Sequence, residues 1–185
     1  IVGPDALELV EYLSTRGMRS CKEGRSRYTP ICDHQGILIN DPITLCLRED
    51  RYWVSIADGD LLLWAQAVSS ERNLNCSVFE PEVSPLAVEG PKADQTMVEL
   101  LGDWVMDIPF FGFVETQLDD IPFIICRSGW SGQGGFELFL TDDLKGVDLW
   151  ERVWNSGLRY GIHPGTPNAV ERIESGLLSY RTDCG

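Results

Sequence analysis

Apolar residues recur along this chain with two different periods, and the two alternate in a fixed order. After Gly3-Pro4-Asp5-Ala6 the positions Ala6, Val10 and Leu13 fall on one helical face, and after Gly90-Pro91-Lys92-Ala93 the positions Ala93, Met97 and Leu100 repeat the same offsets. Proline suits the first position of each helix, because the N–H it lacks would have no partner there. Gly17 and Gly102 are the predicted stops. A period of two over Tyr52 to Ala57 and over Phe136 to Leu140 predicts strands. Each is followed by a helical pattern, Gly59 to Val68 with Leu63-Trp64 and Leu144 to Trp154 with Leu149-Trp150. Further strand-like stretches run over Arg27 to Ile31, Ile43 to Leu47, Phe111 to Leu118 and Ile121 to Cys126.

Gly3 and Gly90 lie 87 apart by residue number, and Trp64 and Trp150 lie 86 apart, so two landmarks agree on one internal period. A duplication is the reading that follows, with halves at 1–82 and 83–185. The join is the Pro-interrupted segment Glu80 to Pro85, whose prolines do not suit a central strand. Each half reads as strand, helix, two or three strands, helix, strand. The predicted fold class is therefore α+β, as two duplicated ferredoxin-like (split βαβ) units with antiparallel sheets. Paired units place a ligand in the crevice between them.

With 43% hydrophobic residues in 185, the chain can bury an ordinary core. A net charge of −14 argues against nucleic acid, whose binding rests on clustered Lys and Arg. The apolar runs, such as Leu61 to Trp64 and Pro122 to Cys126, are too short to cross a bilayer, and none reads as a signal peptide. Cys21, Cys32, Cys46, Cys76, Cys126 and Cys184 are far apart without a C-x-x-C pair, and only His34 and His163 join them, so no zinc site is expected. Several sit in apolar runs as small hydrophobes, which suits a reducing cytoplasm. The start at Ile1 and the end on Cys184-Gly185 read as those of an internal segment.

Three stretches are candidates for chemistry. Gly36-Ile37-Leu38-Ile39-Asn40-Asp41-Pro42 is either a turn closed by Asn-Asp-Pro or a carboxylate held beside a hydrophobic wall, since Pro42 keeps Asp41 out of the helical region. Ser128-Gly129-Trp130-Ser131-Gly132-Gln133-Gly134-Gly135-Phe136-Glu137 is either a hairpin connection or a loop whose backbone approaches a flat ligand, with Trp130 to stack and Glu137 to pair with a polar edge. Lys22, Arg25 and Arg27 lead into Tyr28, either as a solvated basic run or as a receiver of a carboxylate-bearing tail. The remaining Trp and Phe residues are assigned to the core, and His34 and His163 carry no recognisable catalytic arrangement.

In this order the stretches resemble the glycine-cleavage T-protein (aminomethyltransferase) superfamily. Its pattern is Lys-x-Gly-x-x-x-Tyr, Gly-Gly-x-Ile/Leu-Asp-Asp, Gly-Tyr-Thr-Gly-Glu-x-Gly-x-Glu and Arg-Leu-Glu-Ala-Gly. Here these stand as Lys22-x-Gly24-x-x-x-Tyr28, Gly36-Ile37-Leu38-Ile39-Asn40-Asp41, Gly129 to Glu137 and Arg172-Ile173-Glu174-Ser175-Gly176. Ile39-Asn40-Asp41-Pro42, Trp53-x-Ser55-Ile56-x-Asp58 and Leu63-Trp64-Ala65-Gln66 look like the dimethylsulfoniopropionate demethylase branch. Asn40 stands in place of the first family Asp, Gln133 in place of a common Glu, and Asn168 where aminomethyltransferases carry Arg.

The resemblance implies an enzyme that uses tetrahydrofolate and a small-molecule methyl donor, moving a methyl from a sulfonium to N5. It implies a fold that closes a folate-binding crevice, with a further C-terminal β-domain beyond this segment. Asp41 would be catalytic, bonding near N5 and handling its proton. Glu137 would hold the pyrimidine edge, Tyr28 and Trp130 would flank the ring, and Asn40 would be a further cofactor contact. Trp53, Trp64 and Trp130 are available for a cation–π contact with the sulfonium. Aminomethyl transfer, aromatic O-demethylation and folate binding without turnover are the other readings on the same scaffold.

Overall fold

A computed structural model describes residues 1–57, 59–129, 131–166, 169–180, 182 and 183. The chain is α+β, and it divides into a first unit of Ile1–Pro81 with Leu178–Gly185 and a second of Glu82–Leu177.

In the first unit the turn at Gly3-Pro4-Asp5 is closed by Ala6 N–H donating to Gly3 O at 3.0 Å, and α1 runs over Ala6–Leu13. The helix begins two residues later than the proline suggests. Ala6, Leu9, Val10 and Leu13 are its buried face. It ends at Leu13 rather than at Gly17, because Ser14 turns extended and forms a bridge with Ile31. Strands β1 (Arg25–Tyr28), β2 (Ile31–Cys32), β3 (Leu38–Asn40), β4 (Ile43–Arg48) and β5 (Arg51–Ser55) follow, then α2 (Leu61–Glu71). The predicted strand Arg27 to Ile31 is thus two strands in two sheets, split at Thr29-Pro30. Strands β1, β4 and β5 form an antiparallel sheet with β4 in the centre, while β2 and β3 make a separate hairpin. Asp33 Oδ1 closes the hairpin tip by accepting from Gln35 N and Ile37 N. Val2 bridges to both Arg51 and Ser77 beside β5. The two helices cover this sheet through Leu9, Leu13, Leu61, Ala65 and Val68 on one side of α1, and Ala6, Val10, Met18, Cys46 and Tyr52 on the other.

The second unit contains β6 (Ser84–Glu89), α3 (Ala93–Leu101), β7 (Phe113–Leu118), β8 (Ile121–Cys126), β9 (Gly135–Leu140), α4 (Gly146–Gly157) and the short α5 (Ala169–Glu174). Its sheet has the order β6-β9-β8-β7, antiparallel throughout. The first unit shows the same order, with Val2 in the place of β6, β5 of β9, β4 of β8 and β1 of β7. This order differs from the split βαβ plan, in which a helix joins two parallel strands with a third between them. Here α3 leads from β6 to β7 at the opposite edge, and those two strands run antiparallel. The difference lies in β9: β7 and β8, joined by the two-residue turn Asp119-Asp120, form a hairpin as that plan also has, but β9 pairs with both β8 and β6 and so separates them. Pro85 is accommodated because β6 is an edge strand.

Met97, Phe123, Ile125, Phe136, Leu138, Leu140, Leu149 and Val153 form the second core, so α3 and α4 cover one face of this sheet. On the other face Ile124, Cys126 and Phe139 are also buried, which is why β8 reads as an unbroken apolar run. Several of the aromatic residues assigned to the core lie outside it. Trp150 is 45% exposed and stacks on Trp154 with ring planes 12° apart, and Phe79 and Phe110 are more exposed still. Helix α4 gathers its apolar residues on one wide face, of which Leu149 and Val153 are buried while Val147 and Trp150 are exposed, so periodicity alone does not say how much of that face is covered.

Candidate functional site

In the first unit, the ladder between β1 and β4 sets Tyr28 opposite Ile43, and beyond it Thr29 N–H donates to Pro42 O at 2.8 Å. The buried hydroxyls of Thr29 and Thr44 lie 2.6 Å apart, a second tie between the two segments. This register brings the end of β1 beside Asn40-Asp41-Pro42, the link from β3 to β4. Tyr28 Oη donates to Asp41 Oδ2 at 3.3 Å. Asn40 is 2% exposed, and its Oδ1 accepts from Asp41 N–H at 2.9 Å. A Cβ placed on Gly59 would come within 2.7 Å of Asn40 Nδ2, so the carboxamide is wedged against the turn that precedes α2. Asn40, Asp41 and Tyr28 are therefore one cluster.

Asp41 is half-buried. Burial raises its carboxyl above the ordinary carboxylate range, while hydrogen bonds from Tyr28, from its own backbone and from the Tyr180 backbone pull the other way. A carboxylate displaced toward neutrality and held by a hydroxyl is suited to exchange a proton with a basic nitrogen.

In the second unit, alternation along β9 sends Phe136 and Leu138 into the core and Glu137 to the opposite face, where its pairing partners are Ala87 of β6 and Cys126 of β8. The Ser128 hydroxyl, itself 1% exposed, donates to Glu137 Oε2. Burial raises the Glu137 carboxyl, the Ser128 hydrogen bond lowers it and the charge of Glu89 raises it again. Because the folded chain holds this proton more tightly than the unfolded one, the linked stability is fully present below the ordinary glutamate range and is lost as pH rises through the raised value. We expect Glu137→Gln to remove that loss: urea midpoints of variant and wild type should agree in acid, and the variant should be the more stable at mildly alkaline pH. A wild-type advantage there would contradict the burial argument.

The glycine-rich loop is also packed against the end of α5. Gly132 has φ +66°, and a Cβ on it would meet Ser175 Cβ at 2.7 Å. Ser175 belongs to the Arg-Ile-Glu-Ser-Gly motif, in which Arg172 is buried and donates to Leu177 O at 3.2 Å.

The structure thus gathers Tyr28, Asn40 and Asp41 in the first unit and Glu137, Ser128 and Glu89 in the second. Trp130, Asp58 and Asn168 lie outside the described residues. Arg27 donates to the carbonyl of Gly17 and Lys22 is exposed. Trp64 sits with its ring 5.6 Å from that of His34 and is partly buried against the core under α2. Among the described residues no group of His, Cys, Asp and Glu is placed to hold a metal ion, and no helix is long and apolar enough to cross a membrane. Sequence reasoning missed Ser128 as a partner and Glu89 altogether. The only signal for Glu89 is its place one residue before Gly90-Pro91, which acquires meaning once β6 is paired with β9.

The GCVT N-terminal domain family matches residues 1–185. The chain is 42% identical over 183 residues to the dimethylsulfoniopropionate demethylase DmdA of Ruegeria pomeroyi, an alignment covering 99% of this chain and 50% of that protein. It is 32% identical over 191 residues to an aminomethyltransferase of Corynebacterium aurimucosum, covering 96% and 50%. Among solved structures it is similar to the glycine cleavage system aminomethyltransferase T from Bartonella henselae, with a TM-score of 0.70 and 27% identity over 83% of this chain and 41% of that one. The chain spans about half the length of the curated relatives it matches.

Proposed function

Since the chain belongs to the GCVT N-terminal domain family, we propose that it supplies the folate-binding part of a tetrahydrofolate-dependent methyltransferase whose donor is a sulfonium of the dimethylsulfoniopropionate class. The observation that carries the reading is the Tyr28–Asn40–Asp41 cluster, a half-buried carboxyl with a hydroxyl donor and a fixed amide neighbour. Each unit offers a group whose chemistry suits a reduced pterin: a carboxylate for a basic ring nitrogen in Asp41 of the first, and a buried carboxyl with acceptor capacity for an amino-pyrimidine edge in Glu137 of the second. The 42% identity with a dimethylsulfoniopropionate demethylase favours the sulfonium over other donors. The shared strand order of the two units, together with the repeated Gly-Pro turns at Gly3 and Gly90, supports descent by duplication, and we assign both units to folate binding.

Tetrahydrofolate would supply a secondary ring amine, N5, as the methyl acceptor. Tyr28 and Asn40 fix the side chain and main chain of Asp41, whose carboxylate takes up the proton lost from that nitrogen. The donor's carbon–sulfur bond breaks with its electron pair on sulfur, so a neutral thioether departs. Charge on the sulfonium makes this a good leaving group, and positioning then supplies most of the rate.

Incubation of the full chain with tetrahydrofolate and dimethylsulfoniopropionate should yield 5-methyltetrahydrofolate and methylmercaptopropionate. Turnover with an aminomethyl donor and none with the sulfonium would replace the substrate claim. Tight folate binding with no product from any donor, unaltered in Asp41→Ala, would replace the enzymatic one.

A further inference from the structure

We propose that Glu89 is the positioning residue of the glycine-rich loop at 128–135, latching it to the end of β6 and holding Glu137 in the orientation from which that carboxyl meets a folate. The inference rests on the reading of Glu137 as a folate contact and adds a residue to it.

The register places Glu89 opposite Gly135 and Ala87 opposite Glu137, so the two glutamates are diagonal neighbours on one face of the sheet. Glu89 Oε2 accepts the backbone N–H of Ser131 at 3.0 Å, and Ser131 is only 6% exposed. An amide buried to that degree needs its acceptor. The carboxyl arm passes where Gly135 lacks a side chain: a Cβ there would stand 3.0 Å from Glu89 Cγ, whereas one on Gly129 would make only ordinary contact, 3.7 Å from the carboxyl carbon. Gly90 N–H donates to Gly134 O at 3.2 Å, so the same corner of β6 holds the loop twice. The glycine at 135 thus serves the passage of a protein side chain, beside any role toward a ligand.

The second consequence is electrostatic. Among the described residues, the charged and titratable groups packed around this corner are Glu89, from β6, Cys126 with Arg127, from the end of β8, and the buried Arg172 of α5, whose end meets the loop at Gly132. Arg127 is committed elsewhere, to the carbonyls of Met106 and Ile108 at 3.1 and 3.2 Å and to Asp94 at 3.5 Å. The charge of Glu89 acts on Glu137 in the direction that keeps the Glu137 carboxyl protonated to higher pH.

Two substitutions separate latch from charge, and both are made in the full chain with tetrahydrofolate as the probe. Glu89→Ala removes the acceptor. Amide exchange at Ser131, measured without folate, should accelerate at least about tenfold, and folate affinity should fall by about tenfold. Glu89→Gln keeps an acceptor oxygen and removes the charge. Ser131 exchange should stay near that of the wild type, affinity at neutral pH should be kept, and the acid limb of the affinity profile should move to lower pH. Wild-type exchange and affinity in Glu89→Ala would overturn the latch, and an unmoved acid limb in Glu89→Gln would overturn the coupling. Should Glu89→Ala fail to fold, Glu89→Asp takes its place: its side chain is one methylene too short to reach the Ser131 amide, and wild-type Ser131 exchange in it would overturn the latch. If Glu137→Gln binds folate as the wild type does, the folate reading of Glu137 has failed, and Ser131 exchange still judges the latch.

Discussion

Asp41→Asn is expected to lower kcat by roughly 10²–10⁴-fold while changing tetrahydrofolate affinity by less than about tenfold. The asparagine has the same size and keeps an oxygen that can accept from Tyr28 Oη and from the Tyr180 backbone, so the local structure has little reason to move. What it loses is the capacity to take a proton. In the wild type only the ionised carboxylate has that capacity, and burial places its titration above the ordinary carboxylate range. The rate should accordingly rise with pH through that raised value and then level off, and the residual rate of the variant should lack the limb. Single-turnover kinetics across pH provide the check. A variant with wild-type kcat would remove Asp41 from the chemistry.

Phe136→Ala is expected to destabilise the second unit by about 3–5 kcal/mol. Phe136 is fully buried, opposite Val88 in the register with β6, and it shares its core with Met97 of α3 and Leu149 of α4. The Arg127 guanidinium lies over its ring at 5.6 Å, so truncation also strips an apolar cover from a charged group. Its strand neighbours are Gly135 and Glu137, and loosening β9 should speed amide exchange in the glycine-rich loop as well as lowering the denaturant midpoint. Leu63→Ala, at a side chain that is 65% exposed on α2, is the matched control and should cost under about 0.5 kcal/mol. Equal effects from the two substitutions would mean that the second core is not organised around Phe136.

Much of this architecture was legible because it is local. Identical offsets after Gly3 and Gly90 located α1 and α3 to within a turn, and the apolar run Ile121–Cys126 is β8 to the residue. Pairing was less legible, since it is decided by segments distant in sequence. Nothing around Pro30 announces that Ile31–Cys32 leaves the sheet of β1 to pair with Leu38–Asn40, yet that hairpin is what sets Asn40 and Asp41 beside Tyr28. Nor does a period of two say which strands are neighbours, and the split βαβ plan fails on that point. Asp41 and Glu137 were visible as carboxyls in unusual settings. Glu89 was not, because its meaning arises only when β6 lies against β9.

The burial of Cys126 at the heart of one unit, and of Cys21 and Cys46 within the other, gives each unit a silent reporter of its own opening. A thiol reagent added to the native chain reaches these sulfurs only when the surrounding packing parts, so the labelling rate at each cysteine measures how often its own half breathes. Mass spectrometry of the labelled peptides can then follow the two halves separately in one sample, with no probe engineered into either.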